Sequence, residues 1–536
     1  MMTSRRILPL VLLLASLAGA CSDRANPAPV TVPLDTMRTA AAASTDDMAQ
    51  FLAETISYAS IEPAGPTLLP ETEALLDVAL AKGEQLGFTA RRAAGGLVGV
   101  LEYGSGNETV GVLIHLDVVA PGNLDEWQHP PFAGTIADGK VFGRGAQDDK
   151  GALASVLWGA KILIDEGMTF GRRLRIILGT KEETSFEDLT SYFAEEAPPD
   201  FGIVPDGPFI MRAEAGYADL AYGFAGIAAG AGDTARDTVV SWTGGSAVNS
   251  VPDFSFAVLR SSDPAAARIE LESLISQVTA EFTRPGSVPD LTVSDFATFA
   301  AEHDIAIEPE GDLVLFSRGK SAHSSIPFAG RNAIVEVALV GARMTHLADG
   351  AFKRAARFVD EKIGLTTDGS GFDLATDKPI AEASDTTASL DLVETDLFAD
   401  RIDLTINYRV GIANTTSEIE DKSGASAAEY GASLREVGTV FDAYYLPDDD
   451  ALLAIAKDSY RTVQGHEPLL LALGSTTYVK AAPNLVSFGP IDLAEDGISV
   501  HAVNERMPVA ALTRNAVLFA DMLQRLIQAE TAPIRE

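Results

Sequence analysis

The sequence predicts an α/β protein with a second domain inserted into the α/β unit, and three observations carry that expectation. Apolar runs at Val110–His115 and Leu174–Leu178 read as buried strands, and each leads into a loop bearing histidine or acids. A helical stripe follows the glycine-rich turn at 143–151, with Leu153, Val156, Leu157, Ala160 and Ile164 on one face of 149–166. The metal-suited motifs cluster before residue 212, vanish, and return only near residue 500. Open α/β sheets place their sites at the carboxyl ends of parallel strands, so these strand-end residues are the candidates for chemistry.

At 536 residues the chain exceeds one ordinary core, so two domains are the default. The elements then follow in order. Arg5 and Arg6 precede an apolar run from Ile7 to Leu17, and Ala18-Gly-Ala-Cys21 follows. That is an export signal, 1–21, too short to span a bilayer as a mature helix. Cys21 is the only cysteine and stands where a bacterial lipoprotein signal places its lipidated residue, so no thiol remains for disulfides or catalysis. Ser22 rather than Asp after Cys21 favours the outer membrane. Residues 22–44, rich in Ala, Pro, Thr and Ser, read as a flexible tether.

Residues 45–212 form the first part of the α/β domain, opening with a helix over 70–86 marked by Leu75, Leu76, Ala79, Gly83 and Leu86. The texture changes over 213–440, where short strands such as Thr238–Trp242 and Leu404–Tyr408 alternate with helices over 263–283 and 330–348. This is the inserted α+β lid. The α/β domain resumes over 441–536 with a helix at 450–464, a strand near Leu485–Phe488 and a last helix at 508–528. The net charge of −36 is spread along the chain; it repels nucleic acid and anionic lipid headgroups and keeps the protein soluble.

Five residues suited to metal sit inside short motifs. His115 lies in Ile-His-Leu-Asp-Val-Val (114–119), and Asp148 in Gly-Arg-Gly-Ala-Gln-Asp-Asp-Lys-Gly (143–151). Glu183 lies in Gly-Thr-Lys-Glu-Glu-Thr (179–184), Asp206 in Val-Pro-Asp-Gly (204–207) and His501 in Val-His-Ala-Val-Asn-Glu (500–505). Two imidazoles and three carboxylates suit a pair of zinc ions, and manganese or cobalt accepts the same ligands. Such a pair makes hydroxide at neutral pH and clamps a tetrahedral intermediate, which points to a hydrolase.

In this order the motifs resemble the di-zinc metallopeptidases that include acetylornithine deacetylase, carboxypeptidase G and carnosinase, and among them the peptidase V-like dipeptidases. The resemblance covers nearly everything after residue 45 and is most specific over 112–151. It implies a three-layer α/β/α di-metal peptidase domain with an inserted α+β lid. It also implies that Asp148 bridges two ions, with His115 and Asp206 completing one sphere and Glu183 and His501 the other. Glu182 takes a proton from the metal-bound water, the bridging hydroxide so formed attacks, and Glu182 passes the proton to the leaving amine. Asp117 accepts the free ring N–H of His115, and the Asp148–Asp149 peptide is cis. In the lid, Gly319-Lys-Ser-Ala-His323 resembles the family's lid histidine motif, and two further stretches, around Asn249 and Arg409, resemble lid contacts. His323 and Asn249 then stabilise the oxyanion, and Arg409 pairs with the substrate carboxylate.

Gly474-Ser-Thr-Thr-Tyr-Val-Lys480 resembles a substrate-contact loop, except that the family's Gly-Gly-Thr and Arg are replaced by Ser-Thr-Thr and Lys480. His129, His303, His346 and His466 lie outside any ligand motif. The expectation is a monomeric dipeptidase of the cell envelope, with short peptides as its partners and contact with the membrane only through its lipid anchor. An N-acyl amino acid deacylase or a carboxypeptidase would use the same site. A binding lipoprotein without turnover is the reading of another class, and the presence of Glu182 with all five ligands argues against it.

Overall fold

A computed structural model describes residues 30–226, 236–248, 250–282, 290–303, 310–324, 327–374, 386–474 and 476–535. The expected export signal with Cys21, and the lid residue Asn249, lie outside them.

The two apolar runs form the centre of a six-stranded sheet. Its order is Thr89–Ala93, Val98–Tyr103, Arg173–Gly179, Thr109–His115, Phe201–Val204 and Leu485–Ser487. The last four strands are mutually parallel, and the first two run antiparallel at one edge. Strand Thr109–His115 is buried along its whole length, as a central parallel strand with helices on both faces must be. Helix Pro70–Gln85 packs on Val98–Tyr103 so closely that a Cβ on Gly99 would meet Leu76 Cδ1 at 2.7 Å. Helix Lys150–Asp165 packs on the final helix Val509–Gln528, and Gly159 allows their backbones to approach. The result is the expected three-layer α/β/α domain.

The tether expected over 22–44 needs correction. Residues Leu34–Ala43 are a helix with Met37 and Ala41 fully buried, docked beside the final helix. Val32 N donates to Gln524 Oε1 at 2.6 Å, and the Arg38 guanidinium reaches Val463 O at 3.1 Å. An alanine-rich segment has good helix propensity, and here a stripe of only two small contacts suffices because the partner helix supplies the rest.

The inserted chain builds a second sheet of eight antiparallel strands. Their order is Asp290–Asp295, Leu313–Arg318, Phe254–Ser261, Asp237–Gly244, Thr387–Asp396, Arg401–Val410, Gly216–Ala225 and Ala432–Phe441. Helices Pro264–Glu281, Ala333–Arg343, Ala351–Phe358 and Thr416–Glu429 bury one face, which has its own core. Along Arg401–Val410, Ile402, Leu404, Ile406, Tyr408 and Val410 point into that core, so Asn407 and Arg409 project from the opposite face. The chain enters this domain through Met211–Glu214 and leaves through Tyr444–Tyr445, and the two crossings pair antiparallel. Among the described residues no helix is long and apolar enough to cross a membrane.

Candidate metal centre

The parallel strands deliver their ligands side by side. His115 ends Thr109–His115, the loop after Arg173–Gly179 carries Glu182 and Glu183, and Asp206 follows Phe201–Val204. The Glu182–Glu183 loop is held from below. Asp188 accepts from Thr180 N at 2.5 Å, Lys181 N at 3.0 Å and the Tyr478 hydroxyl at 2.5 Å. Asp117 accepts from Glu182 N at 3.2 Å and Glu183 N at 3.0 Å. Both glutamates therefore face one site from an irregular loop, which a regular strand could not achieve.

Asp148 stands between the two imidazoles. Its Oδ1 lies 2.8 Å from His115 Nε2 and its Oδ2 lies 3.2 Å from His501 Nε2. Asp206 Oδ2 is 3.8 Å from His115 Nε2, and Glu183 Oε1 is 3.2 Å from His501 Nε2. Two groups of donor atoms thus converge, His115 with Asp148 and Glu183, and His115 with Glu182 and Asp206. The five expected ligands are together. Asp117 is also present, but His115 Nδ1 is nearer to its backbone oxygen, 3.0 Å, than to its carboxylate, 3.5 Å. The reason is that Asp117 lies beyond the end of the strand, where its carboxylate is taken by the Glu182 and Glu183 amides.

One interaction that sequence reasoning missed joins the two distant halves of the site. Glu505 is fully buried, and Arg144 donates to its Oε2 at 2.6 Å. Gly145 N also reaches Oε2, while Gln147 N and Asp148 N reach Oε1. Arg144 in addition donates to His501 O at 3.1 Å. Gly145 has a φ of +87°, and a Cβ there would meet Val118 Cγ1 at 2.8 Å, so only glycine turns this loop without strain. Strand Arg506–Pro508 pairs with Lys140–Phe142, bringing the His501 loop alongside. His501 itself holds a left-handed backbone, φ +59°, uncommon for a non-glycine residue. The motifs quoted both Arg144 and Glu505, but nothing local in the sequence announces their pairing. The peptide Asp148–Asp149 is cis, as the resemblance implies.

The electrostatics call for cations. Burial pushes the Asp206 carboxyl well up, and Asp148 adds to the rise. Glu182 is raised by burial and by Asp206, Glu183 and Asp148, against the pull of His115. Its Oε1 is sealed from solvent with no hydrogen-bond partner among the described residues. Burial would lower both histidines, yet both are raised, His115 by hydrogen bonds to Asp117 and Asp148, and His501 to about 11 by Asp148 and Glu183. Acids raised by burial beside histidines raised by their carboxylate partners make a charge-dense cluster of the kind that a bound cation would neutralise. Two ligands of a tetrahedral zinc lie about 3.3 Å from each other, and both separations of 3.2 Å at His501 match that spacing. The residues fit the group.

The lid reaches the same place. Burial lowers the pKa of His323, and the charges of Arg409 and His501 lower it further, which puts the three in one neighbourhood. Lys480, the departure from the family pattern, is buried and donates to Ala215 O and to Thr476 Oγ1, with Glu214 at 3.7 Å. The other histidines take packing or surface positions: His129 on Phe142, His303 on Phe299 and His466 on Tyr460.

Candidate ligands from three parallel strand ends and two further loops, gathered around one carboxylate, are the site of a metal-dependent hydrolase. The chain belongs to peptidase family M20/M25/M40, whose model matches residues 111–525, and it is a metallopeptidase. YtjP of Bacillus subtilis (strain 168) is 29% identical over 448 residues, covering 83% of this chain and 88% of that protein. Beta-Ala-Xaa dipeptidase of Lactobacillus delbrueckii subsp. lactis is 28% identical over 244 residues, 45% of this chain and 46% of that one. The fold is shared with the di-peptidase Dug1p of Saccharomyces cerevisiae, with TM-score 0.53 and 13% identity over 93% of this chain and 99% of that one. It is shared also with aminoacylhistidine dipeptidase of Vibrio alginolyticus, with TM-score 0.53 and 17% identity over 91% and 96%.

Proposed function

We propose that this chain hydrolyses the peptide bond of dipeptides and short peptides with a free C-terminal carboxylate, using two divalent ions, zinc by the character of the donor set. The observation that carries the reading is Asp148 standing with one carboxylate oxygen toward each imidazole, with Asp206 on one side and Glu183 on the other. Similarity to relatives named as dipeptidases supports the substrate class. On this reading His115, Asp206 and Asp148 would hold one ion, and Glu183, His501 and Asp148 the other. When bound, the ions lower the pKa of water and neutralise charge that builds on the carbonyl oxygen.

The protein's own groups do the rest. Glu182, its Oε1 without a hydrogen-bond partner among the described residues, receives the proton of the attacking water and returns it to the leaving amine. His323 donates to the developing oxyanion, a role that Asn249 shares in this reading. Arg409 binds the terminal carboxylate. Lys480 is occupied by Glu214, Ala215 and Thr476, so it is not the carboxylate anchor. Asp117 positions both the His115 ring and the Glu182–Glu183 loop. We also propose that the chain works as a monomer, lipid-anchored through Cys21 at the outer membrane of the cell envelope.

The test is hydrolysis of a mixed dipeptide panel by purified protein loaded with zinc or manganese. Glu182→Gln is expected to lower kcat by about 10²- to 10⁴-fold while both metals stay bound. Chelation is expected to abolish turnover, and metal return to restore it. Cleavage of N-acyl amino acids but of no dipeptide would move the assignment to a deacylase.

A further inference from the structure

Arg409 is only 7% exposed, yet its side chain makes no hydrogen bond or ion pair with any described residue, and its Nε is sealed from solvent. A buried guanidinium in that condition has its charge balanced at a distance and its donors kept for something else. Two carboxyl groups, those of Asp219 and Asp391, are near enough to act on it electrostatically. Neither bonds to it, because neutral donors occupy both. Asp219 accepts from the Tyr217 hydroxyl on one oxygen and from Asn407 Nδ2 on the other, at 2.8 Å. Asp391 accepts from Ser324 Oγ at 2.5 Å and from Ser389 Oγ.

What holds the guanidinium is a ring. Tyr217 and Arg409 are directly opposite on paired strands, as are Asp219 and Asn407, so all four share one face of the lid sheet. The Arg409 guanidinium carbon lies 4.7 Å from the Tyr217 ring centroid. Donation of the Tyr217 hydroxyl to a carboxylate enriches the ring face that meets the cation.

We infer that Tyr217 is the positioning residue for Arg409, holding the guanidinium by its face while keeping Asp219 from capturing its donors, and that it thereby sets the preference for substrates ending in a free carboxylate. The inference rests on the dipeptidase reading above. Arginine suits this use: its plane stacks while its edge stays open to a bidentate carboxylate.

The experiment compares metal-loaded wild type with Tyr217→Leu, Tyr217→Phe and Tyr217→Phe/Asp219→Asn, on a dipeptide and on its C-terminal amide. In Tyr217→Leu the ratio of kcat/KM for acid over amide falls by about tenfold, mainly through KM (about 1.4 kcal/mol). Tyr217→Phe keeps the ring but releases Asp219 toward Arg409, so KM for the acid rises several-fold. Removing that competitor in the double variant restores it. Equal losses on acid and amide, or no restoration, overturn the inference. Calorimetry with an N-acetyl amino acid and its amide separates the two claims. If the wild type cleaves no dipeptide, the dipeptidase reading fails. A carboxylate-over-amide binding preference that Tyr217→Leu abolishes then still supports Tyr217, and its persistence in that variant overturns the role.

Discussion

Glu505 shows how one buried side chain acts on two ligands that the chain keeps far apart. It receives Arg144 and three backbone amides of the 145–148 turn, and Arg144 in turn holds the carbonyl of His501. Burial pushes its carboxyl up to about 7, with Asp148 adding to the rise and Arg144 opposing it. Glu505→Gln can no longer accept on both ends and leaves a buried guanidinium short of its charge partner. We expect a loss of about 3–5 kcal/mol in stability. Metal affinity should fall by about 10- to 100-fold, as for other changes behind a ligand. Chelator competition and thermal unfolding measure both, and a variant with unchanged metal affinity would show that the turn holds its shape without Glu505. At this scale the candidate ligands were legible, because each sits in a short motif, three of them at or just after the ends of parallel strands. The partners of those ligands were not, since Arg144 and Glu505 meet across 361 positions.

Elements with strong periodicity match their expected extents. The helix expected over 70–86 is Pro70–Gln85, that over 450–464 is Ala451–Gln464, and the last, over 508–528, is Val509–Gln528. The helix expected over 330–348 is only Ala333–Arg343, because Asn332 caps its start and Met344 turns extended. Helix Leu34–Ala43 was invisible for a different reason. Its buried stripe is Met37 and Ala41, too small a signal to separate from a polar tether. Because this helix is docked on the final one with Met37 fully buried, Met37→Ala should cost about 2–5 kcal/mol, in the range of buried methionine truncations. Chemical denaturation would measure it; a cost below about 0.5 kcal/mol would instead suit a tether.

For the whole molecule, the metal centre ties stability to pH. In the metal-free protein Asp149, Glu182, Glu183 and Asp206 have raised values, burial first, so their contribution is complete below about pH 4. It is lost as pH rises through the folded values. His115 and His501 are raised too, so their stabilisation also fades above about pH 6.5. Asp148 is lowered, and its contribution stays constant through this range. Metal binding works the other way, because ligands must lose protons to bind it. The difference in Tm between loaded and stripped protein should therefore widen steadily from pH 5 to 8. Glu336 and Asp391, raised by burial to about 7 and about 8, lie in the lid and shift both forms alike. A constant or narrowing difference would contradict a site assembled from these ligands.

By itself the sequence singled out the candidate ligands His115, Asp148, Glu183, Asp206 and His501 by their motifs, and an α/β unit interrupted by a long insert. Such information is local: apolar period, strand-end loop and motif need only neighbours along the chain. The tertiary structure alone decided that Glu505 and Arg144 tie the Asp148 turn to the His501 loop, and that Lys480 is spent on Glu214 while Arg409 rests on Tyr217 with its donors open. Those outcomes depend on which buried charge finds which partner. Packing between segments hundreds of residues apart makes that choice, and no local pattern encodes it.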